Sequence, residues 1–350
     1  MRGFIFVCGI FFCFQSYATS LLSQAPRSYS TYGGFGNKKS TCHNLISSTR
    51  QYLNSLKKKG HQVALIFNNG SAIPLPKYRI KDQFHGRTYN NINDLVEVME
   101  DWARRKTSWS EPEEYQKLVG RCLRGRKITG LDKKAFPESC VEPMKARHLH
   151  SGFVVLNSGT SKAPFMIHLY GDEKYNFLKA SLRVETLESY LKEEKMQLCE
   201  AKIATLKPSD QKRILNFFKG NHAERLLAKG NKNFNLLTNP WKVKTQNCNA
   251  WTSEALATML FEPQNQWKRA NRHQAKQILW QTGFRPYKIP LGPLQSLARL
   301  PALFVGGIDM EEGNIDHFHG VADVIPTEAI QDWLKRHGKI TSAKLIKGKY

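Results

Sequence analysis

The stretch from His150 to Gly171, HSGFVVLNSGTSKAPFMIHLYG, constrains the fold more than any other part of the chain. Two extended apolar runs, HSGFVVLN and APFMIHLYG, flank SGTSK, a connection dense in turn residues. That pattern predicts an antiparallel hairpin with a loop longer than the tightest turns. Residues facing each other across such a hairpin have numbers with a constant sum. A turn centred near Ser158–Thr160 makes that sum about 318 under two-stranded pairing, so His150 is expected opposite His168. One imidazole then orients the other.

Around the hairpin, helical and extended patterns mix without regular βαβ alternation, which gives the class α+β. CHNLISSTRQYLNSLKKK has the spacing of an amphipathic helix, and QVALIFNNG reads as a buried strand ended by a turn. VETLESYLKEE predicts a helix and EAKIATLKP a strand. Ser209 is a plausible cap for a helix over DQKRILNFFKGNHAERLLAK, and Asn271 for another running to Trp280. ALFVGGI and GVADVI read as strands, and PTEAIQDWLKRHG as a last helix with proline at its start and glycine after its end. Residues 76–147 are polar, basic and punctuated, with one helical piece, INDLVEVMEDWARR. They form an insertion or small helical subdomain, so the main domain is split into 42–75 and 148–337, with a basic tail over 338–350.

The opening twenty residues, MRGFIFVCGIFFCFQSYATS, have the charge, apolar core and small-residue order of a secretory signal. The expectation is an exported, periplasmic or secreted protein with no transmembrane segment after signal removal. Loss of the signal moves the formal charge from +24 to +23 (52 Lys+Arg minus 29 Asp+Glu). Such a surface is drawn to anionic envelope polymers. The charges are scattered and no nucleic-acid module is present, which argues against specific nucleic-acid recognition.

Seven cysteines become five once Cys8 and Cys13 leave with the signal. In an oxidising compartment Cys42, Cys122, Cys140 and Cys199 make two disulfides in any of three connectivities, with Cys248 left over. Parity requires a free thiol without saying which it is. The spacings suit no zinc site, and the glycines form neither a phosphate loop nor a dinucleotide fingerprint, so no metal or cofactor is expected.

Cys248 stands in KTQNCNAWTSEALATML, where apolar positions at Trp251, Ala255, Leu256, Met259 and Leu260 mark a helix. Its thiol falls at the first turn, where free N–H groups and the positive end of the dipole stabilise a thiolate. Gln246, Asn247 and Asn249 flank it as oxyanion or supporting residues. A thiol nucleophile needs a base. His150 with His168 is one choice, His148 shares the face of His150, and His317 or His319 in DHFHG are the alternatives.

HSGFVV, MIHLYG, RVETLESYL and FNLLTNPWKVKTQNCNAW together resemble the circularly permuted, NlpC-type branch of the papain-like cysteine hydrolases. More narrowly, QVALIFNNG, ARHLHSGFVV, NLLTNPWKVKTQNCNAW, WQTGFRP, LGPLQ, IDH and VIPTEAIQDWL resemble an uncharacterised family of exported bacterial proteins, a domain of unknown function. The resemblance covers most of residues 42–337 apart from the insertion. It implies a permuted papain-like core whose antiparallel sheet packs on the helix after Cys248. It also implies Cys248 as nucleophile, His150 as general base and His168 as the orienting group, with Asp316 and His317 matching a family DH pair. The implied function is an exported amidase- or peptidase-like hydrolase acting on a cell-wall peptide or another envelope amide or ester. The alternative is an inactive envelope binding or assembly protein on the same scaffold, with Trp241 and Trp251 as contacts.

Overall fold

The computed structural model describes residues 21–24, 42, 44–68, 78–80, 141–143, 148, 150–159, 163–172, 179–193, 199–220, 222–230, 233–235, 238, 240–241, 243–290, 315–316 and 321–348. The expected signal, the helical piece of the insertion, the ALFVGGI strand, Cys122, Cys140, His317 and His319 lie outside the described residues.

The centre of the molecule is a six-stranded antiparallel sheet. Its strands are β1 (Val63–Asn68), β4 (His150–Val155), β5 (Phe165–Asp172), β6 (Lys179–Thr186), β7 (Glu200–Leu206) and β11 (Ile340–Lys347), in the spatial order β11-β7-β1-β4-β5-β6. VALIFN in β1 is buried throughout because helices cover both faces of the sheet. Alternate residues of a strand point to opposite faces. Val63, Leu65, Phe67, Phe153 and Val155 therefore join one core, while Ala64, Ile66 and Val154 join another.

The first face is covered by α3 (Pro208–Lys219), α5 (Cys248–Phe261), α6 (Arg272–Gln281) and α7 (Thr327–Arg336). The second lies beneath α1 (Leu45–Lys58) and α2 (Leu187–Glu193). In α1 the buried positions are Leu45, Thr49, Leu53 and Leu56, one stripe of an amphipathic helix. α5 is different: CNAWTSEALATML is small or apolar nearly all round and is buried from Cys248 to Leu260. Such a helix is held inside the protein. Trp251 of α5 meets Phe153 of β4 edge to face at 5.7 Å, which fixes α5 against the middle of the sheet.

Smaller elements complete the fold. Short strands β2 (Tyr78–Ile80) and β3 (Val141–Pro143) pair at the two ends of the insertion. β8 (Tyr287–Pro290), β9 (Ile315–Asp316) and β10 (Val321–Val324) form a three-stranded sheet. α4 (His222–Arg225) is a single turn. Cys42 is bonded to Cys199, one of the pairings the sequence left open, and Cys248 is free. Among the described residues no helix is long and apolar enough to cross a membrane.

Four local expectations change. Residues 184–186 continue strand β6, so the expected helix over VETLESYLKEE begins only at Leu187. Ser209 is not a cap: α3 starts on Pro208, with Lys207 at the cap position and no side-chain bond there. The long helix expected after it stops at Lys219, because Gly220 is extended and the ring of His222 packs where a Cβ would sit. Ile340–Lys347, expected in a basic tail, is an edge strand paired along β7. Asn271 does cap α6, its side chain accepting from the Gln274 amide at 3.0 Å.

Candidate functional site

Cys248 is the first residue of α5, is 6% exposed and carries a free thiol. The sequence places it there through Asn247, an extended residue whose side chain accepts from the Ala250 amide at 2.8 Å and so caps the helix. The thiol points to the side-chain oxygen of Asn249 at 3.9 Å. That same oxygen accepts from Ser151 Oγ at 2.7 Å, and Asn249 Nδ2 donates to the Ile325 carbonyl at 2.6 Å. Asn249 therefore clamps the start of α5 to the start of β4 and to the segment leading into α7.

His148, expected on the face of His150, lies instead on this side of the sheet, because it precedes β4 and escapes that strand's alternation. Its Nδ1 is 3.2 Å from Glu328 of α7, and the Thr327 hydroxyl donates to its carbonyl. Its Nε2, 3.4 Å from Glu200 Oε1, makes no hydrogen bond. Asn249, Ile325, Thr327, Glu328 and His148 thus form a continuous chain of contacts beside the thiol.

His150 and His168 come together elsewhere. The β4–β5 register pairs Phe153 with Ile167 and Val154 with Met166, a sum of 320 rather than 318. The register therefore sets His168 across from Gly152, not from His150. A two-residue offset keeps the same face, so His150 Nε2 still reaches His168 Nδ1 diagonally at 3.0 Å. Gly152 makes room: a Cβ there would stand 3.0 Å from His168 Cβ and 3.1 Å from the Ile167 carbonyl. On the next strand His168 pairs with Arg183, and its Nε2 meets Glu185 at 2.5 Å, again diagonally.

The proton directions follow from the acceptor at the end. Ionised Glu185 can only accept, so His168 donates from Nε2. A neutral His168 then accepts on Nδ1 from His150. Burial, with a further contribution from His168, holds His150 well below the usual imidazole range. Burial alone would raise Glu185, but the hydrogen bond from His168, with help from Ser189 and the charge of Arg183, outweighs it and the net shift is downward. Glu185 was missed at the sequence level because it sat in a segment expected to be helical. β6 carries too little alternation to have exposed it from the sequence.

The sheet lies between Cys248 and the His150–His168–Glu185 relay. Ser151 points at Asn249 of α5, so its neighbour His150 points to the other face, where it packs against Tyr190 at 5.4 Å. Tyr190 belongs to the core beneath α1 and α2, whereas Cys248 belongs to the core around α5. The expectation that the hairpin presents His150 to Cys248 meets this obstacle: the period of two sends His150 away from the helix.

Gln246, expected to help an oxyanion, is turned inward. Its Nε2 donates to the Leu226 carbonyl and to Glu254, and its Oε1 accepts from the Ala228 amide. Trp241 packs on Trp280, and Trp251 is fully buried; both are packing residues. Asp316 lies in β9. Among the described residues no group of three metal-ligating side chains is placed to hold an ion.

The buried relay makes stability depend on pH. An unfolded histidine titrates near 6.5, whereas folded His150 resists protonation until lower pH. The stabilisation is full above about 6.5 and is lost as pH falls below it, with a limiting slope of about 1.4 kcal/mol per pH unit. His150→Gln is expected to flatten the loss of stability between pH 7 and pH 5, measured by urea unfolding. Parallel curves for variant and wild type would refute this.

No curated protein and no solved structure matches the chain. Residues 139–334, more than half of its length, match the family model described as uncharacterized protein conserved in bacteria (DUF2145). That span holds β4 to β6, the relay, the cysteine helix and most of α7, and the chain belongs to this family.

Proposed function

We propose that the protein is an exported cysteine hydrolase acting on an envelope amide, with cell-wall peptide as the substrate class. The observation that carries this reading is a thiol outside any disulfide on the first residue of a capped, buried helix, where the positive end of the dipole favours a thiolate. The resemblance to permuted papain-like hydrolases supports the same reaction. The proton acceptor in this reading is His148, which is on the thiol's side of the sheet. Glu328 orients its Nδ1, and its Nε2, 3.4 Å from Glu200 Oε1, is the atom that would turn to take the thiol proton. The thiol proton passes to His148, Cys248 sulfur attacks the amide carbon, and His148 returns the proton to the leaving amine. Water then hydrolyses the thioester. His150 and His168 have a structural role here, tying β4, β5 and β6 together.

The second reading is an envelope binding or assembly protein without catalysis. It is favoured by the sheet that separates Cys248 from the histidine pair nominated by the sequence.

Alkylation of Cys248 by iodoacetamide as a function of pH, followed by peptide mass spectrometry, decides between the two. The hydrolase reading expects a midpoint well below the free-thiol value of about 8.5. It also expects His148→Gln to raise that midpoint while His150→Gln leaves it unchanged. A shift with His150→Gln instead would return the role of base to His150. A thiol titrating at or above the free value, indifferent to both substitutions, would overturn the hydrolase reading.

A further inference from the structure

Behind the cysteine helix lies a buried charge cluster. Glu254 of α5 is wholly inaccessible, and Arg272 and Lys276 of α6 are 5% and 1% exposed. Arg272 holds the carboxylate with two bonds, Nε to Oε2 at 2.8 Å and Nη2 to Oε1 at 2.9 Å. Lys276 Nζ is 3.0 Å from Oε1, and Gln246 Nε2 donates to Oε2 at 2.7 Å.

Both cations also donate to the chain that enters the cysteine helix. Arg272 donates to the carbonyls of Val243 and Thr245, and Lys276 to that of Pro240. These carbonyls belong to the segment that runs directly into Asn247 and Cys248. Gln246 is anchored on its other side by backbone bonds with Asn233 and Asn235. The segment is therefore hooked from behind by a guanidinium that is itself fixed on the cysteine helix. A helix-start thiolate depends on where the first amides point, and these depend on the entering chain.

We propose that Arg272 is a positioning residue for Cys248: by binding Glu254 and the 243–245 carbonyls together, it sets the approach of the chain to α5 and so the ionisation of the thiol. This rests on the reading of Cys248 as a working thiolate. The guanidinium's planar fork is what makes it suitable, since an ammonium cannot satisfy a carboxylate and two carbonyls in one plane.

The test is Arg272→Lys, which keeps the charge and removes the fork, beside Asn271→Ala as a control. Asn271 caps the same helix by accepting from the Gln274 amide, and its loss costs about 1 kcal/mol. Both proteins are assayed by thermal unfolding and by the pH midpoint of Cys248 alkylation. Arg272→Lys is expected to raise the midpoint by half a pH unit or more, about a threefold fall in thiolate at low pH, and Asn271→Ala to leave it in place. Equal shifts in both variants, or a shift in neither, would overturn the inference and reduce Arg272 to a stability role. A wild-type thiol already at the free value counts against the hydrolase reading, while the comparison of the two variants still decides the role of Arg272.

Discussion

Replacing Cys42 and Cys199 together by serine is expected to lower the unfolding free energy by about 5 kcal/mol. The bond spans a sequence separation of 157 residues, and in the chain-entropy account the stabilisation grows with the logarithm of the loop closed. It ties the residue ahead of α1 to the start of β7, so one covalent link holds the helix that covers the second face against the sheet. The Gly348 amide donates to the Cys199 carbonyl at 2.7 Å, which fastens the end of β11 at the same point. Urea unfolding of the double variant, with Cys248 untouched, gives the number. A change under about 1 kcal/mol would mean that the reduced chain keeps this region ordered without the bond.

Glu254→Gln is expected to cost about 3–5 kcal/mol, the usual consequence of removing one partner from a buried ion cluster. Glutamine has the shape of the lost side chain, so no cavity explains the loss. The cost comes from leaving Arg272 and Lys276 inside the protein without their carboxylate. Burial by itself would push the Glu254 carboxyl up, yet the two cations hold it below the ordinary carboxylate range. The cluster is thus a source of stability at neutral pH that weakens only on strong acidification. Denaturant unfolding at pH 7 measures the loss, and a value under 1 kcal/mol would mean that the two cations are solvated when the carboxylate is gone.

Periodicity and capping made much of the secondary structure legible. α1, β1, the hairpin strands, β7 and the Asn271-capped helix all follow from local patterns that do not depend on distant residues. The Cys248 helix start was equally legible, because Asn247 and the following apolar positions are local signals. β6 and β11 were not. An edge strand has only one neighbour and an exposed side, so LRVET and ITSAKLIK carry weak alternation and mixed polarity. What fixes them is pairing with β5 and β7.

The candidate site divides the same way. That His150 and His168 share a face was readable, since a shift of two residues in register leaves the face unchanged. That Glu185 completes the relay was not, because it required knowing that β6 lies beside β5. The inward turn of Gln246 likewise depends on where residues 226–228 pack against the start of α5.

The sequence by itself determined the α+β class, the hairpin, the helix that begins at Cys248 and the partnership of His150 with His168. Family membership is also written in it, since a linear pattern over residues 139–334 suffices. Only the tertiary structure decided which side of the sheet each group occupies. Local patterns give the alternation of a strand, but not which helix covers which face. That depends on burying α5, small or apolar nearly all round, against the Phe153 face. The same burial leaves His150 beneath α2 and brings His148, Ser151 and Asn249 to the side of the thiol.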